Sequence, residues 1–108
     1  MPLYLIRFGY TPEAWAKLIK NPENRREPVS SLLASFGGTL QGFWYSFGED
    51  DGYVLAEVPD NVSAAAVSLA VNASGALRHA ATTVLLSVDE MVDAMGRAGE
   101  ASYKKPGG

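Results

Sequence analysis

A chain of 108 residues, 47% hydrophobic and 19% charged, has the length of one domain and the apolar material for a real core. Its net charge of −3 excludes the basic footprint that nonspecific nucleic-acid binding requires, and no basic run or basic amphipathic helix marks it for a membrane surface. The absence of cysteine excludes disulfides, iron–sulfur clusters and thiolate chemistry. The start, MPLYLIRF, lacks the charged n-region and long apolar h-region of a signal peptide. No apolar segment reaches the roughly 20 residues that span a bilayer, so the expected location is the cytoplasm.

Pro2 to Phe8 is mostly apolar and rich in Tyr, Ile and Phe, which predicts a strand buried on both faces or nearly so. Thr11-Pro12 marks a helix start: the hydroxyl caps and the proline is preset for the first turn. Ala14, Trp15, Leu18 and Ile19 form its apolar stripe, and Asn21-Pro22 breaks it. A second helix is expected from near Pro28, with Val29, Leu32, Leu33 and Phe36 on one face and Gly37-Gly38 at its end.

Thr39 to Asp60, TLQGFWYSFGEDDGYVLAEVPD, organises the chain. Aromatics at 43–45 and 47 precede a tight acidic turn, and Tyr53, Val54, Leu55 and Val58 follow it, which predicts a two-stranded hairpin. In the turn, Gly48 to Gly52, glycine supplies positive φ and Asp50 or Asp51 bonds its own backbone. The turn is too short for the twelve-residue loop of an EF-hand. The expectation is a solvated turn, with no metal and no cofactor.

Asp60 is the expected cap of a third helix, with Val62, Ala65, Ala66, Leu69 and Ala73 on one stripe and Val67, Ala70 and Val71 elsewhere around the cylinder. Gly75 ends it. Ala76 to Leu86 is β-branched at its end and predicts a fourth strand. Ser87-Val88-Asp89-Glu90 is a capping box for a short helix running from Val88 to about Arg97. Residues 99–108 are expected to form a flexible polar tail after a single domain at 1–98.

The order β-α-β-β-α-β plus a terminal helix defines an α+β, ferredoxin-like fold with an antiparallel four-stranded sheet. Alternation puts Leu3, Leu5, Tyr53 and Leu55 on one face and Tyr4, Ile6, Phe8, Val54, Ala56 and Val58 on the other. Helices on one side leave an apolar face bare, which predicts that two copies bury it as a homodimer.

The segments RFGYTPEAW, SFGGTLQGFWYSFGEDDGYVLAEVPD, the alanine-rich helix and HAATTVLL resemble the GYD-domain family. The resemblance is strongest from Arg25 to Asp60 and extends more loosely over Tyr4 to Met91. Gly48-Glu49-Asp50-Asp51 stands where that family has a Gly-Glu-Tyr-Asp turn, so Asp50 replaces the name-giving tyrosine. Glu57-Val58-Pro59-Asp60 matches the Glu-x-Pro-Asp that follows. The resemblance implies a dimeric α/β-barrel assembly and brings no established activity.

Five residues are candidates for binding a ligand. Arg7 and Glu57 fall on one face, and with the first and third strands adjacent and parallel both charges would sit near the same strand ends. They would form a structural ion pair or line a cavity that grips an anionic or polar ligand. His79, the single histidine, cannot build a multi-histidine metal site; it is a strand-edge residue or a general base. Trp44 stacks on a planar ligand or packs in a core or interface. Arg25 falls where the family pattern often has arginine, and equally suits a charged loop. No phosphate loop, nucleophile elbow or metal-ligand spacing is present. The leading expectation is a homo-oligomeric small-molecule-binding or assembly protein. The alternative is a cofactor-independent enzyme, monooxygenase- or isomerase-like, of the dimeric α/β-barrel type.

Overall fold

The computed structural model describes residues 1–108. The elements are β1 (Leu3–Tyr10), α1 (Pro12–Lys20), α2 (Arg26–Ser35), β2 (Thr39–Tyr45), β3 (Gly52–Glu57), α3 (Asn61–Ala73), β4 (Leu77–Leu85) and α4 (Val88–Glu100). The strands form one antiparallel sheet in the order β2-β3-β1-β4. This is an α+β, ferredoxin-like βαββαβ arrangement, with two helices in its first crossover and an extra helix at the C-terminus.

The local signals set the helix ends. Thr11 Oγ1 accepts from Ala14 N–H at 3.2 Å, and Asp60 Oδ1 accepts from Ser63 N–H at 2.8 Å. At α4, Ser87 Oγ accepts from Glu90 N–H while Glu90 Oε1 accepts from Ser87 N–H, the reciprocal pair of a capping box. Gly37 and Gly75 carry φ of 75° and 77°, a left-handed turn that a Cβ would strain.

The core lies between the sheet and helices α1 to α3. Tyr4 and Phe8 from β1, Val54 and Ala56 from β3, Val58, Leu33 of α2 and Ala64 and Val67 of α3 form it. Complete burial of Leu33 and Val58 contributes about 2 kcal/mol each. The expected division of faces holds: Leu3, Leu5, Tyr53 and Leu55 alternate with the buried set and point to the helix-free side.

Four expectations need correction. First, β1 and β3 are antiparallel, not parallel. The β2–β3 hairpin turns the chain back, so β3 runs against β1. Arg7 therefore pairs with Tyr53 and Leu3 with Glu57, which puts Arg7 and Glu57 about 13 Å apart along the strands. Second, α3 faces the core with Ala64 and Val67, while Val62 and Leu69 stay 80% and 70% exposed. Third, Ile19 is exposed, and only Ala14, Trp15 and Leu18 of its stripe pack on the core. Fourth, α4 continues through Gly99 to Glu100, and the part without helix or strand shrinks to 101–108.

α4 buries none of its residues, and Val88, Met91, Val92 and Met95 stand exposed at helical spacing. The radius of gyration is 17.6 Å, against about 13 Å for a rounded domain of this length. The longest dimension, 59 Å, matches a terminal helix that projects from the sheet. No helix is long and apolar enough to cross a membrane.

Candidate functional site

Two features stand out, a polar knot and a cavity, and the β2–β3 turn builds the first. Ser46 N–H donates to Asp51 O at 2.8 Å, Ser46 Oγ–H to Asp50 O at 2.7 Å, and Asp51 N–H to Phe8 O at 2.8 Å. With the backbone held, both aspartates turn inward instead of bonding their own turn or facing water. Asp50 is only 6% exposed. Its Oδ1 accepts from His79 Nε2 at 2.6 Å and its Oδ2 from Arg7 Nη1 at 3.4 Å. Asp51 Oδ2 accepts from Tyr10 N–H at 2.9 Å and Trp15 Nε1–H at 3.1 Å, with Arg78 Nη2 at 3.5 Å. The turn is thereby tied to β1, α1 and β4.

In this knot His79 has no free nitrogen. Arg78 Nη1 lies 3.1 Å from His79 Nδ1, and a guanidinium only donates. Nδ1 therefore accepts, and Nε2 carries the hydrogen given to Asp50. That assignment commits both ring nitrogens and removes the lone pair a general base needs.

The hydrogen bond from His79, followed by Arg7, holds the Asp50 carboxyl below the usual carboxylate range even though burial works the other way. Backbone donors lower Asp60 and Glu90 in the same direction. A carboxylate lowered by folding contributes stability that is present above its unfolded value, about 3.9 for aspartate. That contribution is lost as pH falls through the folded value. Thermal midpoints measured from pH 6 to pH 2 are expected to hold steady down to about pH 4 and then fall. Asp50→Asn is expected to flatten that fall, and an unchanged slope in the variant would count against the knot as its source.

The second feature is a cavity of about 250 Å³ between the sheet and helices α2 and α3. Ile6, Phe8, Val29, Leu32, Val67, Val71, Leu77 and Ala80 contribute to its mainly apolar wall. Tyr10 is also part of the lining and is itself buried. Its hydroxyl lies 3.1 Å from that of Tyr45, and its ring meets Trp15 edge-on with centroids 4.9 Å apart. Burial pushes the Tyr10 phenol well up, the bond to Tyr45 adds to this, and the charge of Arg25 opposes it. Arg25 also lines the cavity, at the start of α2, with Glu23 Oε1 3.3 Å from its Nη1.

The five candidates thus separate into four places. Arg7 and His79 meet on Asp50, and Arg25 lines the cavity. Trp44 lies on the helix-free face, opposite Tyr53, with its ring so close over Gly42 that a Cβ there would collide. Glu57 sits at the far end of that face, opposite Leu3 and Thr39. The expected Arg7–Glu57 pair does not form, because the antiparallel register separates the two residues. Trp44 does not fill the cavity. Sequence reasoning passed over Asp50 and Asp51 as side-chain ligands and Tyr10 as a wall of the cavity. The one available signal was the acidic run itself, whose partners lie 27 to 43 residues away.

The family model of the GYD domain matches residues 4–95. This chain belongs to the GYD domain family. The match covers all four strands but for Leu3, both features above and the first turns of α4. No curated protein sequence matches this GYD domain. Among solved structures, the crystal structure of FFRP-DM1 is similar with a TM-score of 0.50 at 14% identity, over 80% of this chain and 100% of that one. At that identity the likeness concerns the fold alone.

Proposed function

We propose that this GYD domain is a homo-oligomeric small-molecule-binding protein whose ligand enters the cavity between the sheet and helices α2 and α3. The observation that carries this reading is the cavity itself: about 250 Å³ of space, mainly apolar in its walls, inside a domain otherwise packed around Tyr4, Leu33 and Val58. Native interiors hold few voids of this size, and small-molecule sites are mostly apolar, preformed pockets. The neutral probes 1-octanol and indole are expected to shift the methyl resonances of Val29, Leu32, Val67, Val71 and Leu77. Ala80→Leu, which extends a side chain into the space, is expected to weaken both probes about tenfold with the fold intact. Unshifted methyls at millimolar probe would remove the reading.

The homo-oligomeric part rests on the helix-free face. Leu3, Leu5, Tyr53 and Leu55 point out of it, and Trp44 lies across it. An apolar sheet face of this kind is a contact surface, and a two-fold pairing of copies is the simplest cover. The cofactor-independent enzyme reading asks for an acid–base group in the cavity. None of His79, Arg7 and Glu57 lines it, and His79 has both nitrogens engaged.

A further inference from the structure

The cavity wall is electrically lopsided. Of its 19 lining residues, Arg25 is the one that carries a charge, and no carboxylate lines the space. The partner of Arg25, Glu23, is 55% exposed, and an ion pair so open to water holds the guanidinium only weakly. Arg25 also opens α2 without a side-chain cap, so the positive end of that helix adds to the same rim. The Arg26 N–H is already taken by Asn24 Oδ1 at 2.9 Å, which leaves the Arg25 side chain as the anchor.

Hydroxyls complete the polar end. Tyr10 and Tyr45 share one hydrogen bond of 3.1 Å, but two hydroxyls hold two hydrogens, so one remains for an outside acceptor. Burial keeps the Tyr10 phenol protonated, and the pair therefore donates to a ligand anion. The remaining wall offers hydrocarbon from Val29, Leu32, Val71 and Leu77. An apolar cavity of about 150 Å³ holds benzene, so the 250 Å³ found in this domain suits one ring with a short arm or a medium alkyl chain.

We infer that the ligand is a small amphipathic carboxylate, its headgroup on Arg25 and the Tyr10 hydroxyl and its hydrocarbon between α2, α3 and the sheet. This rests on the cavity being the binding site. A single planar guanidinium matches one carboxylate in a two-point contact, and one cation leaves a dianionic phosphate half neutralised. The experiment titrates the full chain at neutral pH with sodium octanoate, 1-octanol and octylamine, followed by calorimetry. Octanoate is expected to bind about tenfold tighter than 1-octanol, with protonated octylamine weakest. Arg25→Gln is expected to bring octanoate down to the level of 1-octanol. If 1-octanol binds as tightly as octanoate, or Arg25→Gln changes neither, the carboxylate assignment falls and the cavity reading stands. If none of the three probes binds, both fall.

Discussion

Replacing Tyr4 with alanine is expected to destabilise the domain by about 4 kcal/mol in urea unfolding. Tyr4 is 1% exposed and sits near the start of β1, paired with Ala56 on one side and Val84 on the other. Its ring fills the layer between sheet and helices, and its hydroxyl donates to Asn61 Oδ1 at 2.7 Å, at the first residue of α3. Truncation opens a cavity that its strand neighbour Ala56 cannot fill, since a methyl group is too short to move into the space. Domains of this size hold about 5–15 kcal/mol in total, so the loss brings this one close to its unfolding threshold. Tyr4→Phe separates the two contributions. It keeps the ring, loses one hydrogen bond to an exposed asparagine, and is expected to cost about 1 kcal/mol. An alanine variant within 1 kcal/mol of the parent would place the core elsewhere than this structure has it.

Leu55→Lys is expected to weaken self-association at least about 100-fold while leaving the fold intact. Leu55 points out of the helix-free face at its centre, opposite Leu5 on β1 and Gly42 on β2. In a single chain a lysine there reaches water. In a pair of copies that meet through this face, its charge would lie in apolar surroundings twice over, once from each copy. Sedimentation equilibrium at micromolar concentration reads the difference. Val62→Lys serves as the control, because Val62 is exposed on α3, away from this face, and association is expected to stay unchanged. A parent chain that sediments as a single copy would remove the face-to-face assembly and with it the purpose assigned to the half-buried leucines of this face.

The parts of this fold that were legible in the sequence are those set by neighbours along the chain. Thr11, Asp60 and Ser87 cap the helices they precede, and Gly37 and Gly75 turn left-handed where the helices stop. The alternation in β1 and β3 correctly separated Tyr4, Val54 and Ala56 from Leu5 and Leu55. α3 was harder, since a helix of Ala and Val is apolar all round and its pattern carries no phase. Only packing selected Ala64 and Val67 over Val62 and Leu69. The candidate site was harder still. His79 meets Asp50 across 29 residues and Arg7 meets it across 43, a juxtaposition made by strand order and direction. Reading β1 and β3 as parallel sent Arg7 to Glu57, and the antiparallel register sends it to the turn. Arg25 was singled out from the family pattern, but its place on the cavity depends on how α2 lies on the sheet, which no local spacing encodes.

The two tryptophans stand on opposite sides of the sheet, Trp15 hydrogen-bonded to Asp51 on the helix side and Trp44 lying flat over Gly42 on the bare side. One chain therefore contains two independent optical reporters. Emission from the first follows the packing of the acidic turn against α1, and emission from the second follows whatever settles on the uncovered strands. Swapping either indole for phenylalanine isolates the other, so that the interior and the exterior of the sheet are watched separately in the same cuvette.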